Sequence, residues 1–256
     1  MKQQYERFIG NLRRVGFSPA MGPSLGVFSI VPCAGELPVP DFTREGKSLS
    51  EIRDDPFAWG DYDPKANGII LYSNSNVDPY TWRYRVLNQE TGISLSKCFL
   101  GHMGYIDRSF IPYFLAARRQ GMEFEDEYNA GTASLLAKKA FDAISVKPLP
   151  TYAIYQEMGL QKKETSKVDR ALAALQEKLY ITVSGYKNKP DEHGIPTGRD
   201  FSVYCTTEEF WGKEPFYEST YCSKEEAADK IRHRILELNP DADAKTVTKF
   251  IGARKS

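Results

Sequence analysis

Histidine is scarce in this sequence, at 3 residues, and cysteine is little commoner, at 4. His102, His193 and His233 are scattered too widely for metal-ligand spacing, so no metal and no cofactor are expected. Cys33, Cys98, Cys205 and Cys222 form no C-x-x-C pair, which predicts reduced structural thiols. No apolar run approaches the ~20 residues that cross a bilayer. The opening Met1-Lys-Gln-Gln-Tyr-Glu-Arg7 lacks the apolar core of a secretory leader, so the expected location is cytoplasmic, without a membrane partner. An excess of one charge is missing too, since 34 basic residues balance 34 acidic ones. Any affinity for a polyanion must therefore come from a local patch. Coiled-coil heptads are absent, which disfavours a dimeric transcription factor. What remains is 256 residues, enough for one large or two small domains with a real core.

The most organised stretch runs from Thr132 to Trp211. Ala133, Leu136, Ala140 and Ile144 recur at helical spacing after the break at Gly131. Thr151 suits the N-cap of a short helix that carries Ile154, Tyr155 and Met158 and stops at Gly159. Thr165 and Ser166 open a third helix, in which Ser166 and Asp169 have the spacing of a capping start. Its Val168, Leu172, Leu175 and Leu179 form an apolar face, while Lys163, Lys167 and Arg170 share another. Two alternating segments follow, Ile181–Ser184 and Phe201–Thr206, joined by a turn-rich, charged tip from Lys187 to Arg199. Helix, short helix, basic helix and β-ribbon is the order of a winged helix-turn-helix.

The flanks are less regular. Tyr5, Phe8, Ile9 and Leu12 predict an opening helix that Gly16 ends. A Gly/Pro-rich loop from Phe17, a strand-like Val27–Val31 and a proline-rich Gly35–Phe42 come next. Gly22-Pro-Ser-Leu-Gly26 matches the pattern of a hydrolase nucleophile elbow, but its strand-like residues follow the serine instead of preceding it. The match is read as accidental. Asp55-Pro-Phe-Ala-Trp59 is echoed by Asp78-Pro-Tyr-Thr-Trp82, read as two helix starts pinned by aromatic side chains, with Gly68–Tyr72 as a strand between them. Ser96–Asp107 reads as a turn-bounded connection, and Arg108–Arg119 as a helix with Phe110, Tyr113, Phe114 and Ala117 inward. Glu123–Tyr128 reads as an acidic turn. A capping box at Ser223–Glu226 opens a helix through Ile231, Ile235 and Leu238, broken at Asn239-Pro240. Asp243 caps a final helix bearing Val247, Phe250 and Ile251, and this tail is expected to pack against the N-terminal region.

A helix-turn-helix unit works by setting its last helix in a major groove while basic and hydroxyl side chains hold phosphates. The residues suited to that task are Lys162, Lys163, Thr165, Ser166, Lys167 and Arg170 on the helix and Lys187, Lys189 and Arg199 on the wing. Arg83, Arg85, Arg118 and Arg119 are additional candidates for phosphate contact, or cations that compensate helix ends. Double-stranded DNA is the expected partner.

The segments Asp78-Pro-Tyr-Thr-Trp-Arg83, Phe110–Arg119, Gly131-Thr-Ala-Ser-Leu-Leu-Ala137 and Cys205-Thr-Thr-Glu-Glu-Phe-Trp211 resemble the AlkZ-related proteins, relatives of the winged-helix DNA glycosylases that unhook interstrand crosslinks. The resemblance covers roughly Gly16 to Trp211. It implies tandem winged-helix units on duplex DNA and, in the true enzymes, removal of alkylated bases by a water held by a Gln-x-Gln motif. No such motif stands around Gly26–Val31. Glu36 and Asp41 are the carboxylates nearest the expected cleft, and a surface-loop role is preferred for both, so no catalytic residue is carried over.

The expected fold is α+β and mostly helical. Residues 1–130 form an N-terminal helical region with room for a degenerate winged-helix unit, residues 131–211 the winged helix, and residues 212–256 a helical tail. The expected function is DNA binding of the glycosylase-related type, in DNA repair. Its rivals are an active glycosylase that uses unrecognised residues, a protein-interaction module and a transcription factor.

Overall fold

The computed structural model describes residues 2–20, 60–63, 68–71, 86–87, 90–159, 165–191 and 193–252. The Gly22–Gly26 loop, Val27–Val31, Glu36, Asp41, both Asp-Pro motifs, Arg83, Arg85, Lys162 and Lys163 lie outside the described residues.

The opening helix α1 (Lys2–Val15) forms as its spacing predicts, burying Ile9, Leu12 and Val15. Gly16 ends it at φ 88°, where a side chain would also collide with the Phe110 ring. The expected loop after it begins instead as a strand, β1 (Phe17–Pro19), at the edge of a sheet, where proline costs no ladder bond. A separate antiparallel ribbon pairs β2 (Gly60–Asp63) with β3 (Gly68–Leu71), the strand expected there.

The stretch read as a turn-bounded connection is in fact a hairpin of β4 (Ile93–Phe99) and β5 (His102–Asp107). Its two turn residues, Leu100 and Gly101, both have positive φ, the backbone that lets a two-residue loop follow the twist of its strands. Gly104 is required on β5, since a Cβ there would overlap the Phe99 ring. Helix α2 (Ile111–Arg119) starts with Pro112 in its first turn. The acidic Glu123–Tyr128 segment starts a helix, α3 (Phe124–Asn129), in which Glu123 and Asp126 close a capping box.

The three expected helices are α4 (Leu135–Val146), α5 (Thr151–Glu157) and α6 (Thr165–Glu177). A two-residue strand, β6 (Leu149–Pro150), separates the first two. Helix α4 starts later than the apolar spacing suggests, because the Ser134 hydroxyl accepts from Ala137 N at 3.1 Å and caps it. Thr132 stays outside the helix, its N and Oγ1 donating to Glu127 O at 3.0 and 2.9 Å. Thr151 is the first residue of α5 and not its cap; its hydroxyl donates to Ser202 O at 3.2 Å, tying α5 to the sheet. Ser166 is likewise inside α6, as its second residue, and not the cap expected there; its carbonyl accepts from Arg170 Nε at 3.3 Å.

The ribbon is longer than the alternation alone indicates. Strands β7 (Ile181–Pro190) and β8 (Pro196–Thr206) continue through most of the charged tip, leaving Asp191–Ile195 as the turn. The Asp191 carboxylate organises that turn by accepting from His193 N and Ile195 N at 2.9 and 2.8 Å. One antiparallel sheet results, in the order β1-β5-β4-β7-β8-β6. The architecture is therefore α+β with a larger sheet than expected. Because β7 is interior, Thr182 is buried along with Ile181 and Val183. Its hydroxyl donates to Leu95 O and accepts from Ser96 Oγ, both at 3.0 Å.

After β8 come α7 (Thr207–Trp211), α8 (Glu214–Ser219), α9 (Lys224–Leu238) and α10 (Ala244–Ile251). The Ser223 capping box and the Asp243 cap both form as read. In the tail, the Phe250 ring centre lies 4.5 Å from that of Phe99 and 5.7 Å from those of Phe17 and Phe114. On α9, Arg234 donates to Val15 O at 3.0 Å. Among the described residues, no helix is long and apolar enough to cross a membrane.

Candidate functional site: a basic helix beside an apolar cleft

Helix α6 is amphipathic in the way the sequence requires, with Val168, Leu172 and Leu175 buried. Its other side carries Lys167 and Arg170, which are exposed and one turn apart, with Ser166 exposed and Thr165 half-buried at its start. Among the described residues, no carboxylate pairs with Lys167 or Arg170. Asp169, their neighbour on the helix, accepts a hydrogen bond from the Tyr155 hydroxyl and so pins α5 to α6.

On the ribbon, Lys187 and Lys189 are exposed on β7. Arg199 belongs to β8, opposite them, and its side chain lies outside the described residues. Lys189 Nζ stands 5.9 Å from the centre of the Tyr152 ring at the start of α5.

Two other candidates are not available to a phosphate. Arg118 turns inward and donates to Cys98 O at 3.0 Å, Glu177 O at 2.8 Å and Phe250 O at 2.6 Å. Its guanidinium also lies 4.8 Å from the Phe114 ring centre, and burial lowers its pKa. Arg119 is buried, paired with Glu123 at 3.1 Å and stacked 4.4 Å from the Tyr180 ring centre. Both arginines clamp helix α2 to its surroundings.

Between α4 and α6 opens a cleft of about 460 Å³, into which the Thr132–Ser134 segment looks. Phe124 and Tyr180 line it, with ring centres 5.2 Å apart, and Lys167, Arg170 and Lys178 stand among its walls. The residue that sequence reasoning missed is Glu127, which also lines this cleft. It is only 2% exposed, its Oε2 is bound to Lys178 Nζ, and its carboxylate stands beside the Tyr180 hydroxyl. Burial first, then the Glu127 charge beside it, raises the pKa of the Tyr180 hydroxyl. A signal for Glu127 does exist in the sequence: it stands three residues after Phe124, so a helix that buries one buries the other.

The acids around Glu127 are taken up locally. Glu125 pairs with Lys138 at 2.6 Å, and Asp126 accepts from Glu123 N at 3.0 Å. The described residues contain no group of three or more metal-ligating side chains. Cys98 and Cys205 are buried free thiols, and burial raises both to about 12, which makes them unreactive as thiolates.

The sequence pattern of a family described as AlkZ related matches residues 65–252, nearly the whole described structure after β2. The match reaches through α10, so the C-terminal helices belong to the family pattern and are no appendage beyond Trp211. No curated protein and no solved structure matches the chain.

Proposed function

The chain belongs to the AlkZ-related family, and from that premise we propose that it binds duplex DNA through a winged helix-turn-helix, as a glycosylase-related protein of DNA repair. Helix α6 is the recognition helix and the β7–β8 hairpin is the wing. The observation that carries the reading is the pair Lys167 and Arg170, exposed and free of carboxylate partners among the described residues, on the helix that directly precedes a long hairpin bearing Lys187 and Lys189. Cations one helical turn apart, with a second basic element beside them, suit the regular phosphate spacing of a double strand. The short strand β6 between α4 and α5 supports the same reading, since it pairs with β8 and ties the helices to the hairpin. Ser166 and Thr165 add hydroxyl donors at the helix start, where the backbone itself favours an anion. Lys162 and Lys163 precede that start in sequence, and Arg199 stands on the outgoing strand of the wing.

The test is fluorescence anisotropy of a short labelled duplex titrated with the purified chain at several salt concentrations. Binding that weakens as salt rises is the expected result. Absent binding, or binding indifferent to salt, would remove the reading.

A further inference from the structure

Neighbouring side chains on a strand point to opposite faces, so Lys187 and Lys189 share one face of β7 and Asn188 takes the other. Asn188 Nδ2 donates to Asp200 Oδ1 at 3.3 Å, which keeps that acid on the face away from the lysines. Phe201 stands across from Lys187 in the ladder and so belongs to the lysine face. Helix α5 closes on the same face. Its Thr151 hydroxyl donates to Ser202 O, and its Tyr152 ring meets Phe201 edge-on, with centres 5.3 Å apart. Lys189 Nζ stands over Tyr152, 5.9 Å from the ring centre. Lys189 is exposed, so the half-buried Tyr152 ring turns the face beneath that ammonium towards solvent.

A π face open to solvent beside two lysines, with Asp200 turned away, suits a base that carries phosphates on either side. A cation over an exposed ring gains less than a stacked base does, so a base can displace the Lys189 ammonium from Tyr152 and leave it to a phosphate. We propose that this face of the wing holds an unpaired nucleotide of a nucleic-acid strand, its base stacked on Tyr152 and its flanking phosphates on Lys187 and Lys189. Phe201 braces the Tyr152 ring from its edge, which fixes the platform before the strand arrives. Bases inside a duplex hide their faces against their neighbours, so the strand has to be single at this point. It can be DNA or RNA, free or part of an opened duplex. The opened duplex rests on the DNA-binding reading above; the free strand does not.

The full-length chain is titrated by anisotropy with labelled dodecathymidylate, with dodecauridylate, and with an abasic DNA dodecamer that has the same charge and no bases. Dodecathymidylate is expected to bind at least about tenfold more tightly than the abasic dodecamer. Tyr152→Leu should abolish that margin while binding of the abasic dodecamer, and of a paired duplex, stays within about twofold of the parent. Tyr152→Phe, which keeps the ring, should keep the margin. A melting curve confirms that both variants are folded. Should Tyr152→Leu prove unfolded, Lys187→Ala with Lys189→Ala, both on the surface, gives the second reading. It should weaken both DNA dodecamers and make their salt slope shallower by about 1.4, about 0.7 for each phosphate released. Equal binding of dodecathymidylate and the abasic dodecamer overturns the proposal. So does a margin that folded Tyr152→Leu retains, or an affinity that the lysine double variant leaves intact. Dodecauridylate bound as tightly as dodecathymidylate extends the ligand to RNA; weaker binding confines it to DNA. Salt-sensitive duplex binding without the margin would sink the platform and spare the DNA reading; the margin without duplex binding would do the reverse.

Discussion

Two arginines show how differently one residue type is used in this molecule. Arg118, on α2, meets three carbonyls and two aromatic rings in the region closed by Phe250. Arg170, on α6, stands in solvent with one weak bond to its own helix and an open cleft at its side. In the first region the cation is held by carbonyl dipoles and the rings pack on one another. The second keeps exposed cations beside a cavity. On the proposed DNA-binding function, a protein that directs an arginine to internal carbonyls at one end and leaves another exposed beside a cleft is divided into a structural half and a binding half. That division can be tested by variants that should hurt one half and not the other.

The largest effect belongs to the first region. Phe250→Ala removes a ring that is 2% exposed and touches Phe17, Phe99 and Phe114, and should cost about 3–5 kcal/mol in urea denaturation. A cost below about 1 kcal/mol would show that the C-terminal helix is not part of the core. Next, Arg118→Met should cost about 2–3 kcal/mol, since it preserves the apolar stem but leaves three carbonyls without a donor. A neutral result would contradict the clamp.

A smaller effect is expected at the Arg108–Glu218 pair, which joins the end of β5 to α8 through bonds of 2.8 and 3.0 Å. These bonds hold the Glu218 carboxyl below its ordinary pKa. A group depressed in the folded state contributes stability above its unfolded pKa and loses it as pH falls through the folded value. Glu218→Gln should therefore cost less than about 1 kcal/mol at neutral pH, a size limited by the exposure of both partners, and nothing at a pH where the wild-type carboxyl is protonated. A cost that is equal at both pH values would assign the contact to packing. The smallest stability effect belongs to the binding half: Lys167→Ala and Arg170→Ala should each stay within about 0.5 kcal/mol of the parent.

The central stretch was legible because periodicity and burial agree there. Val168, Leu172 and Leu175 are spaced for one face and are all buried on it, while Leu179, read as part of that face, is buried beyond the helix end with φ 59°. The β4–β5 hairpin was not, since β4 is covered on both faces, Ser94 and Ser96 included, which removes the polar alternation that marks a half-exposed strand. Arg118 misled for another reason. A basic residue in the last turn of a helix reads as a solvated end, and only the tertiary arrangement brings the carbonyls of Cys98, Glu177 and Phe250 to it. Glu127 was hidden by its acidic neighbours, which look like a solvated run until the capping box turns one carboxylate inward. Local signals gave the helices and the Ser223 and Asp243 caps, whereas the cleft depends on how distant segments meet.

The most direct test compares the salt dependence of duplex binding in the parent with that of the Lys167→Ala, Arg170→Ala double variant. If both cations hold phosphates, the slope of log affinity against log salt should become shallower by about 1.8 in the variant, about 0.9 for each phosphate no longer neutralised. An unchanged slope in a folded variant would place the DNA on another surface and contradict the account.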